Sequence, residues 1–230
     1  MRLDRLLANL GHGSRPQVQR LIKTGRVLVD GAPVKDPARH VDAAAVTLDG
    51  EALDHAGGIT VLLHKPAGHV CSHAEDEGPS VYDLLPPMWA YRSPRPETVG
   101  RLDRETSGLL IVTDDHQLLH RLTSPKHHVP KVYVAELARP VTDELVTTFA
   151  SGTLVLREEF EPCAPAQVRV LDDGRAEVTL TEGRYHQVRR MFAACGNHVE
   201  ALHRTTVGTW TLDDLPAGEW CDVSERPTPS

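Results

Sequence analysis

The chain has 230 residues, 40% of them hydrophobic and 25% charged, proportions of a globular protein large enough for one sizeable core and a small appended module. No apolar run reaches membrane-spanning length, Met1-Arg2-Leu3-Asp4-Arg5 does not read as a secretory leader, and the four cysteines lack Cys-x-x-Cys spacing. A cytoplasmic protein with reduced thiols and no bound metal is therefore expected, without a disulfide framework. The formal charge of −7 argues against a nucleic-acid partner only as an average: from Met1 to His40 eight basic residues face three acidic ones, a net of +5 that leaves −12 on the remainder. A basic head on an acidic body fits a local RNA-docking surface, and an ordinary solvated charged face accounts for it equally well.

In chain order, Leu3, Leu6, Leu7 and Leu10 recur at helical spacing and stop at Gly11 and Gly13. Ser14 suits the cap of a second helix, with Pro16 in its first turn, Val18, Leu21 and Ile22 as its apolar stripe and Gly25 as its stop. Val27-Leu28-Val29, Asp30-Gly31 and Ala32-Pro33-Val34 read as a hairpin on a two-residue turn. Arg15, Arg20 and Lys23 interleave with the stripe and are expected to face solvent together, near Arg26.

Asp54-His55-Ala56-Gly57-Gly58 reads as a linker, with residues 55–58 at its centre. Beyond it, residues 59–63 form a strand-like run that ends at the turn signal Lys65-Pro66-Ala67-Gly68. Gly100-Arg101-Leu102-Asp103-Arg104-Glu105-Thr106-Ser107-Gly108-Leu109-Leu110-Ile111 places a carboxylate between two arginines in a loop that runs into an apolar segment. Positive charge beside a carboxylate favours the ionised form that serves as nucleophile or base. On local chemistry alone, a loop Asp in a surface ion pair is the commoner arrangement. Val132-Tyr133-Val134-Ala135-Glu136-Leu137 reads as a strand, and residues 168–170 and 176–180 as a hairpin around Asp173-Gly174. Val188, Met191, Phe192 and Cys195 make a helical stripe closed by Gly196-Asn197, and Arg189 lies off it. The polar tail, residues 225–230, is expected to fray. This order of elements suits an α+β body on a mainly antiparallel, mixed sheet over residues 59–230.

Two resemblances sharpen the reading. The helix-helix-hairpin with Ser14-Arg15, Gly25-Arg26-Val27 and Val29-Asp30-Gly31 resembles the S4 RNA-binding module over residues 1–54, which makes Arg15, Arg20, Lys23 and Arg26 candidate RNA contacts. The segment around Asp103 resembles the Gly-Arg-Leu-Asp-x-x-Thr-x-Gly-Leu motif of pseudouridine synthases of the RsuA and RluA type. Leu63-His64-Lys65-Pro66-Ala67-Gly68, Lys131-Val132-Tyr133 and Gly183-Arg184-Tyr185-His186-Gln187-Val188-Arg189 follow the family's other segments in order. Two departures stand out: His64 replaces the usual Asn, and Pro130 precedes Lys131 where an acidic residue is common.

The resemblance implies Asp103 as the catalytic carboxylate, Tyr133 against the target base and Arg189 pairing with and orienting the carboxylate. It further implies Arg101 as the filler of the gap left by an extruded uridine, with Lys131, Arg184 and His186 as lesser RNA contacts. No cofactor or nucleotide is implied, and the expected partner is ribosomal RNA bound by a monomer. The S4 head, Thr123-Ser124-Pro125-Lys126-His127-His128 and Leu202-His203-Arg204 point to the RsuA branch and small-subunit (16S) rRNA; the alternatives are large-subunit (23S) rRNA and a non-catalytic S4-type assembly factor. A metal-dependent hydrolase finds support only in thirteen histidines that lack zinc-protease spacing. Residues 86–96 are idiosyncratic beside these segments, so no substrate contact is assigned there.

Overall fold

The computed structural model describes residues 1–227; residues 228–230 of the tail expected to fray lie outside the described residues. The N-terminal part folds as α1 (Leu3–Asn9), α2 (Arg15–Lys23), β1 (Val27–Val29), β2 (Ala32–Pro33), β3 (Val46–Leu48) and β4 (Glu51–Ala52). The remainder begins with β5 (Thr60–Lys65), β6 (Glu97–Thr98), β7 (Thr106–Thr113), α3 (His116–Thr123) and β8 (Lys131–Leu137). It continues with α4 (Asp143–Ser151), β9 (Gln167–Asp172), β10 (Arg175–Leu180), α5 (Gln187–Ala194), β11 (Val199–Val207), β12 (Trp210–Thr211) and β13 (Trp220–Asp222).

Local chemistry explains the first unit. The Gln17 side chain accepts the Ser14 backbone N–H at 2.8 Å, closing a capping box at the start of α2. Asp30 and Gly31 hold φ values of 53° and 74°, the mirror-image turn that matches hairpin twist, and Val29 pairs with Ala32 across it. Leu3, Leu6, Leu7, Leu10, Val18, Ile22, Val27 and Val29 close a core beneath a four-stranded sheet ordered β2-β1-β3-β4. Burying each such side chain contributes roughly 1.5–3 kcal/mol, which is enough to hold a small module together.

A nine-stranded mixed sheet, with main path β13-β5-β7-β11-β8-β10-β9, organises the rest; β6 adds to β7 and β12 to β11. Of its pairings only β7 with β11 is parallel. That pair places the segment after Asp103 beside Leu202-His203-Arg204, far apart in sequence. α4 and α5 cover one region through Leu145, Phe149, Met191 and Phe192 against Ala135, Val178 and Leu180. α3 covers another through Leu118 and Leu122 against Leu109 and Ile111.

The segment read as a linker is pinned. Trp89 Nε1 donates to Asp54 Oδ2 at 2.7 Å, and the buried Arg92 donates to the carbonyls of Asp54 and His55 at 3.1 and 2.8 Å. The backbone carbonyls of Asp54 and His55 are satisfied by Arg92, which orders this connecting segment. Residues 86–96, idiosyncratic as sequence, serve as this staple.

Candidate active site

The Lys65-Pro66-Ala67-Gly68 turn supports the Asp103 loop. Lys65, fully buried at the end of β5, donates through Nζ to the carbonyls of Pro66 (3.0 Å), Arg104 (3.1 Å) and Thr106 (2.7 Å). The Gly68 N–H reaches the Arg104 carbonyl at 2.8 Å, and the Thr106 N–H closes onto the Asp103 carbonyl at 3.0 Å. The loop thus has its backbone acceptors filled from two sides, which fixes where the Asp103 side chain projects. Burial lowers the Lys65 pKa from its ordinary value, opposed by Cys71, Glu105 and Asp103.

Asp103 projects into a cavity of about 280 Å3 whose wall includes Arg101, Lys131, Tyr133, Arg184, His186 and Arg204. Tyr133 comes from β8 and is half-buried, with the Arg204 guanidinium 6.0 Å from its ring centre. Lys131 lies two residues earlier on the same face of the strand, as the period of two requires. Its Nζ donates to the Val129 carbonyl at 3.1 Å, and burial, reinforced by Arg204, lowers its pKa. Arg101 is exposed at the rim.

The side chain nearest the Asp103 carboxylate differs from the expected one. His186 Nε2 lies 3.3 Å from Asp103 Oδ1, and the exposed Tyr185 ring stacks on the imidazole at 3.8 Å. Arg189 was expected to pair with the carboxylate; its Nη1 donates instead to the Val199 carbonyl at 2.9 Å, its buried Nη2 has no partner among the described residues, and it does not line the cavity. The reason is topological. Arg189 sits in the first turn of α5, beside the start of β11, where a register shift between Val199 and Ala201 interrupts the ladder to β8. His186, in a left-handed conformation ahead of the helix, is the basic group that the chain turn directs at Asp103.

Arg184, a candidate RNA contact, is also redirected. Its guanidinium donates to Glu159, Glu182 and the carbonyls of Glu161 and Pro162, so its donors are engaged within the protein. Glu159 also accepts from Arg190, and these two arginines hold its carboxyl below the usual range. Arg184 therefore shapes the cavity wall. His64 faces away: its Nδ1 is 2.7 Å from the Leu215 carbonyl and its ring meets His203 edge-on.

Arg204 is the residue whose role the sequence left unassigned. It is 3% exposed, donates through Nε to the Leu109 carbonyl at 2.8 Å, and lines the cavity with an Nη2 that has no partner among the described residues. Its Leu-His-Arg setting was a branch marker only; no local pattern announces that a strand arginine will be buried beside Tyr133. Among the described residues, no three His, Cys, Asp or Glu side chains cluster as a metal site requires.

Of the candidate docking cations, Arg15, Arg20, Lys23 and Arg26 are all exposed. Arg15 lies 3.5 Å from Asp4, and Arg26 pairs with Asp49 in a two-pronged contact. Arg20 and Lys23 have no ion-pair partner among the described residues. Among those residues, no helix is long and apolar enough to cross a membrane.

Comparison with known proteins agrees along the chain. Residues 59–194 match the RNA pseudouridylate synthase family and residues 1–50 the S4 domain. The ribosomal small subunit pseudouridine synthase A of Escherichia coli (strain K12) is 41% identical over 231 residues, covering 98% of this chain and 97% of that protein. Its counterpart from Pasteurella multocida (strain Pm70) is 41% identical over 227 residues, covering 97% and 96%. An uncharacterized RNA pseudouridine synthase of Bacillus subtilis (strain 168) is 40% identical over 231 residues, covering 98% and 96%. A crystal structure of a pseudouridylate synthase superposes with a TM-score of 0.67 at 38% identity, covering 98% of this chain and 96% of that one. With a cavity built around a carboxylate, an aromatic ring and several cations, and with this similarity running nearly end to end, the chain belongs to the RNA pseudouridylate synthase family, as a member of RsuA type with an N-terminal S4 domain.

Proposed function

We propose that this enzyme isomerises a specific uridine of small-subunit (16S) rRNA to pseudouridine, with Asp103 as the catalytic carboxylate. The observation that carries the reading is the cavity in which Asp103 faces Tyr133, His186 and Arg204, on a chain that aligns almost completely with ribosomal small subunit pseudouridine synthases. The uridine leaves its stack at a cost of a few kcal/mol. Arg101, exposed at the rim, fills the gap, and Tyr133 holds the extruded uracil by stacking.

Asp103 then attacks C1′ or removes the C2′ proton; both routes begin from the ionised carboxylate and both release N1 from C1′. The freed uracil turns and C5 bonds to C1′, which on the first route expels the Asp103 carboxylate from C1′ and on the second is accompanied by return of the proton to C2′; the C5 proton is then lost while N1 gains one. Reactant and product are isomers, so the balance needs neither oxidant nor donor. Arg204, buried with an unpartnered Nη2, is placed to stabilise the negative charge that develops on the detached uracil. His186 positions the Asp103 carboxylate before RNA enters. Docking falls to the basic N-terminal module, on a chain acting as a monomer in the cytoplasm.

The test is tritium release from RNA carrying 5-tritiated uridine, offered as small-subunit and large-subunit rRNA and as their assembling particles. Wild type is expected to release tritium from the small-subunit substrate. Asp103→Asn is expected to lose at least about a thousandfold in rate while binding RNA with nearly unchanged affinity. An Asp103→Asn variant that retains turnover would end the carboxylate mechanism, and release from the large-subunit substrate alone would reassign the RNA.

A further inference from the structure

A second cavity, of about 840 Å3, opens where the turn between α1 and α2 meets the Pro87–Tyr91 helical turn, and it shares no lining residue with the catalytic cavity. Its two sides have different chemistry. The N-terminal module contributes Arg20 and Arg26 over the half-buried Leu21 and Leu48; the catalytic part contributes Met88 and Tyr91. Tyr91 is 71% exposed, and no carboxylate is among the residues that line the cleft. Arg20 has no ion-pair partner among the described residues, whereas Arg26 shares Asp49 and remains half exposed.

The aromatic side is held in place. Gly11, at φ +89°, lets the two parts approach: a Cβ there would lie 3.0 Å from the Met88 carbonyl oxygen and 3.2 Å from Tyr91 Cβ. The Ser93 N–H donates to the Asn9 carbonyl at 2.8 Å, and Trp89 and Arg92 tie the same segment to Asp54 and His55. Tyr91 therefore stands in water on a braced backbone, opposite guanidinium groups. A ring exposed beside cations suits a base whose π-face is free and whose phosphate lies close by. Duplex RNA, with its bases stacked inside, would engage the arginines and leave the ring unused.

We propose that this cleft is a subsite for single-stranded RNA, in which Tyr91 stacks on an unpaired base and Arg20 takes an adjoining phosphate. The inference rests on the rRNA reading above and adds a second grip, completed only when residues 88–91 meet the N-terminal module. It implies a target uridine flanked by unpaired nucleotides that reach this cleft.

The experiment uses the full-length protein and a fluorescent oligouridylate, free or annealed to oligoadenylate, with binding followed by anisotropy across a salt series. Tyr91→Ala is expected to weaken single-strand binding about tenfold and to leave duplex binding unchanged, while Tyr91→Trp binds at least as well as wild type. Arg20→Gln is expected to reduce the slope of log affinity against log salt by about 0.7. On wild type, photo-crosslinking with 4-thiouridine is expected to mark the peptide carrying residues 88–91. Equal single-strand affinity of wild type and Tyr91→Ala, equal losses on single strand and duplex, or crosslinks confined to the catalytic cavity would each overturn the subsite. Tritium release plays no part in these readouts, so failure of the reaction on every rRNA would be recognised separately.

Discussion

Lys65 is a lysine with no exposed surface whose ammonium satisfies three carbonyls around the Asp103 loop. A buried charge is tolerated only when its donors are matched, and here all three are. Lys65→Met keeps the stem but withdraws a donor from each of the three carbonyls, of which Arg104 keeps the Gly68 N–H, so we expect a loss of about 3 kcal/mol in urea denaturation at neutral pH. We also expect kcat to fall more than KM rises, because the loop that aims Asp103 loosens. A variant with wild-type stability and kcat would show that the clamp is incidental. Burial lowers the Lys65 pKa, so between the folded value and the unfolded value of 10.5 the unfolded chain binds more protons. The Lys65 contribution to stability therefore rises with pH in that window, and Lys65→Met is expected to lose that rise in a pH series of denaturation midpoints.

At the scale of elements, the parallel contact of β7 with β11 brings Arg204 beside the Asp103 loop, through the register Arg204↔Gly108. The strands approach so closely that a Cβ on Gly108 would lie 2.2 Å from the Arg204 carbonyl oxygen and 2.6 Å from its nitrogen, with Gly108 at φ +110°. Backbone, unlike a side-chain tip, cannot yield there. Gly108→Ala is expected to lose about 3 kcal/mol or more, read by urea denaturation, with near-complete loss of activity in whatever fraction folds. Measured stability within about 0.5 kcal/mol of wild type, the ordinary range for a surface substitution, would mean that the strands can separate at no cost. The helices illustrate a different point. Periodicity locates α2 and α5 well because their stripes are local, yet the stripe of α5 says nothing about Arg189, which lies off it and bonds to Val199.

At the scale of the molecule, the N-terminal core is joined to the rest of the protein by the staple of residues 86–96. Arg92 is buried, bonds to two carbonyls of the connecting segment and lies 3.5 Å from the nearly buried Asp114 carboxylate. Arg92→Met leaves those acceptors empty and should cost about 2–4 kcal/mol. In scanning calorimetry we expect the N-terminal module to melt ahead of the catalytic part, giving two transitions in place of one. A single transition at the wild-type temperature would count against the staple. The same variant is expected to weaken RNA binding without lowering kcat, since the catalytic cavity shares no residue with the joint.

The chain's own pattern determined α1, α2 and α5, its first hairpin, the α+β class and the motif segments, because each depends on neighbours a few residues apart; α3 and α4 were not read from it. Asp103, Tyr133, Arg101 and Lys131 were legible through the resemblance of short motifs to a family, and the structure gathers these residues around one cavity. What local pattern could not supply is the destination of each guanidinium. An arginine reaches far and binds whichever acceptor the fold presents, so Arg184 goes to Glu159, Arg189 to Val199 and Arg204 to the cavity. The role of residues 86–96 was hidden likewise, since Trp89 and Arg92 acquire meaning only when Asp54 and His55 arrive against them. Tertiary structure decided these points because they depend on contacts between segments distant in the chain, and side-chain donors and carbonyl acceptors carry no label of their partner until the strands have paired.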